Sequence, residues 1–162
     1  MNPRIETLSE KKLIGKRLTM TFADNKIFEL WRSFMPKRKE IENNLSPELI
    51  SMQIYDRSFN FTESNLHAPF EKWAAVEVSD FDFVPDGMET FVLLSGLYAV
   101  FIHKGPASEA ERIFRYIFQT WLPESGYTID ARPHFEILGE KYKKDDPKSE
   151  EEVWIPVLPI PG

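Results

Sequence analysis

The feature that most constrains this chain is a repeat. Residues 27–36, IFELWRSFMP, and residues 114–123, FRYIFQTWLP, carry the same apolar stripe: Leu30 matches Ile117, Trp31 matches Phe118, Phe34 matches Trp121, Met35 matches Leu122 and Pro36 matches Pro123. That spacing buries one face of an amphipathic helix. The proline predicts a stop, because it lacks an N–H and its ring crowds the preceding turn. An extended stretch with a glycine precedes each helix, LIGKRLTMTF at 13–22 and LLSGLYAVFIHKG at 93–105, and Ser108 with Glu111 predicts a capping box for the second helix. Two more strand-like segments follow each helix, ISMQIYD (50–56) and FEKWAAVEV (70–78) in the first half, HFEILGE (134–140) and EEVWIPV (151–157) in the second. Aligned, Met52 and Ile54 fall on Phe135 and Ile137, Gln53 falls on Glu136, and EKW at 71–73 falls on EVW at 152–154.

A helix stripe, a terminal proline and two strand signatures in the same order predict a tandem duplication. The expected fold class is α+β: two βαββ units related by a pseudo-twofold, sharing an antiparallel sheet with helices on one face and a ligand cleft on the other. The expected organisation is a single domain over residues 1–162, with repeat one at about 10–78, a linker at 79–89 and repeat two at about 90–158. Side chains alternate along a strand. If Met52, Ile54, Phe135 and Ile137 face the helices, then Gln53, Tyr55, Glu136 and Leu138 face the cleft, and parity lets Trp73 with Glu71 and Trp154 with Glu152 join them. Glu136 then sits among large aromatics, where its pair in the other half is the neutral amide Gln53.

A carboxylate ringed by Trp and Tyr suits an apolar cation: ring faces attract it by about 0.5 to 2 kcal/mol each, and the carboxylate neutralises it. The same carboxylate, partly desolvated, has a raised pKa and can act as a general base, which makes a hydrolase the enzymatic alternative, with Tyr98 or His103 as the second polar group. Other chemistries are excluded or disfavoured. With no Cys there are no disulfides, thiolate metal sites or Cys nucleophiles, and His67, His103 and His134 show no metal-ligand spacing, so neither a metal nor a cofactor is expected. Serine elbows and glycine-rich phosphate loops are missing. Net charge is −6 and the strongest basic run, PKRKE at 36–40, leads straight into acidic residues, which argues against nucleic acid. No apolar run reaches a membrane span or marks a signal peptide, so a cytoplasmic protein is expected. The run EKYKKDDPKSEEE at 140–152 is read as a solvated loop, of which Glu152 reaches the cleft.

The segments GLYAVFIHKGP (96–106), TWLPESGY (120–127) and PHFEILGEKYKKDDPKSEEEVWIPV (133–157) closely resemble the GyrI-like effector-binding domains, a SOUL-like fold also found at the C-terminus of AraC-type and MerR-type multidrug-responsive regulators. The resemblance implies two βαββ units with a ligand cleft between them. It also implies a buried acid contacting lipophilic cations, here Glu136, with Glu152, Trp154 and Tyr98 as further pocket groups; the sequence leaves the face of Tyr98 open. The first repeat starts by about residue 10, which leaves no room for a helix-turn-helix, so direct DNA binding is not expected. The leading expectation is a non-catalytic module binding a hydrophobic, cationic small molecule through Glu136, Trp154, Tyr98, Trp73, Tyr55, Gln53 and Glu152. A hydrolase of reactive electrophiles is the second reading, and an inhibitor or adaptor that binds a partner protein through the acidic loop is the third.

Overall fold

The structure is a computed structural model and describes residues 2–61 and 65–161. The strands are β1 (Arg4–Leu8), β2 (Lys11–Met20), β3 (Leu49–Ile54), β4 (Phe70–Val78), β5 (Glu89–Leu93), β6 (Gly96–Lys104), β7 (Tyr127–Ile129), β8 (His134–Leu138) and β9 (Glu150–Pro159). Helix α1 (Ile27–Phe34) follows β2, and α2 (Ala110–Tyr116) follows β6. All strand pairs are antiparallel and run in the order β1-β6-β9-β8-β3-β4-β2-β5, with β7 on the end of β9. The duplicated α+β architecture read from the repeat is therefore present. Each half also begins with a short strand that the pattern did not reveal, and these two strands are exchanged: β1 pairs with β6 of the second half, and β5 with β2 of the first.

The two halves meet where β3 pairs with β8, with Met52 opposite Phe135, Ser51 opposite Glu136 and Gln53 opposite His134. Directly opposed residues share a face. One row therefore runs Trp73, Met52, Phe135, Trp154, Val100, and the next runs Ala74, Ser51, Glu136, Val153 on the other side. Both helices lie on the second side. Leu30 and Phe34 of α1 pack on Ile14, Ala74 and Val76, while Ile113, Ile117 and Phe118 pack on Ala99, Phe101, Val153 and Ile155.

This register corrects the expected faces. Met52 and Phe135, with Ile54 and Ile137 packed against them, lie away from the helices in one cluster with Trp73, Tyr98 and Trp154. The reason is lateral placement. The helices cover β2 and β4 on one side and β6 and β9 on the other, so the helix-facing residues of the central β3 and β8 form the floor of a groove between them. Leu8 and Leu93, from the two exchanged strands, close the opposite apolar face.

The helix ends also differ from expectation. α1 does stop before Pro36, although a 3-10 segment carries on over Met35–Glu40. Pro123 does not end the second helix, which continues through a π-helical turn at Ile117–Trp121 into a further turn at Leu122–Glu124. A widened turn removes the clash between the proline ring and the carbonyl four residues earlier. Ser108 lies within a 3-10 turn, and no side chain caps α2, so the capping box is absent. Among the described residues, no helix is long and apolar enough to cross a membrane.

Phe135 has no exposed surface and stacks on Trp154 at 5.2 Å with 16° between ring planes. Phe135→Ala leaves a cavity where the halves join, and an expected loss of about 3 to 5 kcal/mol is checked by denaturant unfolding.

Candidate functional site

The floor of the groove is polar although it is buried. Ser51, Gln53, Lys72, His134, Glu136 and Glu151 share the helix-facing side of β3, β4, β8 and β9, and each is at least nine-tenths removed from solvent. Gln53 organises the centre. Its carbonyl oxygen accepts a hydrogen bond from Lys72 Nζ, and its side chain also hydrogen-bonds Glu136 and Tyr55. Among the described residues, Glu136 Oε2 has no hydrogen-bond partner. A buried polar atom left unpaired costs free energy, so such an atom marks a place where something else can bind.

Burial favours the neutral form of each charged group here. It pushes the Glu136 carboxyl up, opposed by the Lys72 charge and by Gln53. It pushes the Lys72 amine down, opposed by Glu136 and Glu151. Glu151 rises to about 7, through burial and the nearby Glu136, with Lys72 acting the other way. His134 falls to about 3 through burial and the charge of Arg132, so its imidazole is neutral and serves as a flat aromatic wall.

Aromatic side chains fill the groove above this floor. The β3–β4 connection brings Phe61 onto His134, 5.0 Å away at 22°, and onto Phe118, 4.8 Å away at 24°. Tyr55 meets His134 edge-on at 5.0 Å, and Phe59 leans on Tyr55 at 4.5 Å. Tyr142, from the β8–β9 connection, lies close enough to Glu151 and Glu136 for their charges to add to the effect of burial in raising its phenol. His103 is buried on the same side, opposite Glu151 in register, with Nε2 3.2 Å from the Pro106 carbonyl.

The structure thus brings together Gln53, Tyr55 and Glu136 of the residues singled out from sequence, and separates Trp73, Tyr98, Trp154 and Glu152 from them. Those four lie on the opposite face. Trp73 Nε1 donates to Glu71 Oε1 at 2.5 Å, and Trp154 Nε1 donates to Glu152 Oε1 at 3.0 Å, the same bond in each half. Tyr98 lies within ring contact of Phe135 and Trp154, and its hydroxyl donates to the Pro133 carbonyl at 2.8 Å. Burial pushes its phenol up to about 12. Lys72, Glu151 and the aromatic wall of His134, Phe61 and Phe118 were missed. For His134 the signal was present, since a residue two before Glu136 must share its face. Lys72 was hidden between Glu71 and Trp73, whose repetition drew attention to the wrong parity.

Comparison with known proteins places this geometry. The chain belongs to the family described as the GyrI-like small molecule binding domain, which matches residues 1–158. It is 28% identical over 158 residues to the transcriptional regulator BrlR of Pseudomonas aeruginosa; the match covers 97% of this chain and 56% of that protein, so this chain spans little more than half of the regulator's length. Among solved structures, SAV2435 bound to tetraphenylphosphonium aligns with a TM-score of 0.74 at 17% identity, over 98% of this chain and 94% of that one. EcmrR in a complex with DNA aligns with a TM-score of 0.70 at 17% identity, over 97% of this chain and 57% of that one.

Glu151 makes the site sensitive to pH. Its folded value of about 7 lies above the ordinary 4.5, so its contribution to stability is complete below 4.5 and is lost as pH rises through 7. Glu151→Gln removes that dependence. The variant should gain on the native chain by up to roughly 3 kcal/mol between about pH 5 and pH 8, read from denaturant midpoints at each pH.

Proposed function

We infer that this protein is a small-molecule-binding module that holds an aromatic, lipophilic cation in the groove between its two helices, anchored by Glu136. One observation carries the reading: a carboxylate only 8% exposed has an oxygen without a partner among the described residues, on the same sheet face as the stacked rings of His134, Phe61 and Phe118. A desolvated carboxylate attracts a cation more strongly than an exposed one does, and flanking ring faces add about 0.5 to 2 kcal/mol each. The family is a small-molecule-binding one, and the tetraphenylphosphonium held by the similar SAV2435 is a cation of this class.

On this reading Glu136 supplies the charge, Gln53 holds its carboxylate in place, and Tyr55, Phe61, Phe118 and His134 supply the flat walls. Trp73, Tyr98, Trp154 and Glu152 act from the opposite face as the scaffold that sets the position of β8.

Titration of the purified chain with tetraphenylphosphonium tests the proposal. A cation present at about 100 times its dissociation constant should stabilise the fold by roughly 2.7 kcal/mol, visible as a rise in melting temperature of several degrees. Glu136→Gln should weaken binding at least tenfold, whereas unchanged affinity would remove Glu136 as the anchor.

A further inference from the structure

Building on the groove as the ligand site, we propose that Lys72 sets the class of ligand: a flat aromatic molecule that carries an anionic or acceptor group beside its cationic or donor group. Lys72 is 6% exposed and faces the groove floor from the strand next to Gln53. The amide of Gln53 bridges it to Glu136, accepting from Lys72 Nζ on one side and bonding the carboxylate on the other. An ε-amino group has three tetrahedral positions around nitrogen, and one is used by Gln53. Among the described residues the floor therefore presents an unpartnered acceptor, Glu136 Oε2, on one side of Gln53 and an amine with no second acceptor on the other.

A permanent cation bearing no anionic group can use only half of this arrangement, and its charge would lie near that of Lys72. A zwitterion, or an aromatic amide with adjacent donor and acceptor, satisfies both halves. The duplicated scaffold shows that the fold does not require an amine at this place. Lys72 lies opposite Gln53 in the first half, and the matching residue opposite Glu136 in the second half is Val153. The remaining buried carboxyl of the floor, Glu151, sits further along β9 opposite His103 and provides a second acceptor for the positive end of the ligand.

The test uses three probes that share one indole: tryptamine carries only a cation, indole-3-propionate only a carboxylate, and tryptophan both. Dissociation constants are measured by calorimetry for the full chain, for Lys72→Met and for Glu136→Gln. The native chain should bind tryptophan more tightly than either single-charge probe. Lys72→Met should weaken tryptophan at least tenfold and leave tryptamine unchanged or tighter, inverting the preference, while Glu136→Gln weakens tryptamine and tryptophan together.

Tighter binding of tryptamine than of tryptophan to the native chain, or the same ratio in Lys72→Met, overturns the role of Lys72. If tetraphenylphosphonium still binds through Glu136 in that case, only this inference falls; if no cation binds at all, the proposed function falls with it. Should Lys72→Met fail to melt cooperatively, Lys72→Gln decides the matter: it keeps an N–H donor without the charge, and an unchanged preference for tryptophan over tryptamine in it would refute a charge-based role.

Discussion

The pairing of β3 with β8 is the constraint on which the rest depends. It joins the two halves, places Met52 and Phe135 opposite each other at the junction, and sends Gln53 and Glu136 to the side that carries the helices. Because the helices stand mainly over the flanking strands, they meet the central pair only at its margins, as Phe118 does with His134. The side chains between are covered by aromatic residues of the β3–β4 connection, and a polar floor can persist there. A shift of one residue in that register would turn Glu136 into the apolar core and bring Phe135 to the groove.

That polar floor costs stability. Each buried ion loses hydration worth several kcal/mol, and the interaction of Lys72 with Glu136 recovers only part of it because Gln53 lies between them. The opposite face compensates. There Trp73, Met52, Phe135, Trp154 and Val100 form a continuous apolar row, and Tyr98, Leu8 and Leu93 cover it. The two tryptophans are held by the same indole-to-glutamate bond in each half, which fixes their rings in the row and leaves the groove side free to vary.

The repeat made the architecture legible, because helix stripes and strand patterns report burial and burial is what a duplicated core conserves. It also made Gln53 and Glu136 stand out as an unlike pair at matched positions. It could not assign the faces. Strands such as FEKWAAVEV and HFEIL are buried on both sides, and an apolar residue in a two-sided strand does not show which layer covers it. Alternation alone therefore points Met52 and Phe135 toward helices that lie elsewhere, and it groups Trp73 and Trp154 with Glu136, from which the register separates them. The exchange of β1 and β5 was equally hidden, since pairing between distant strands leaves no periodic trace in either one.

On the proposed reading, the binding site lies where the two halves differ. Matched positions that do the same work, Trp73 with Trp154 and Met52 with Phe135, build the scaffold. Positions that have diverged, Gln53 against Glu136, Ser51 against His134 and Lys72 against Val153, all fall on the groove floor or its rim. The loops above them have diverged in the same sense: the β3–β4 connection supplies Phe59 and Phe61, while the β8–β9 connection is charged and supplies Tyr142. A symmetric groove would have offered a ligand two equivalent poses. On the proposed reading, setting the Glu136 and Glu151 carboxyls, the Lys72 amine and one aromatic wall asymmetrically about the pseudo-twofold axis favours a single ligand orientation, so the asymmetry that lowers the stability of the floor also gives the site its direction.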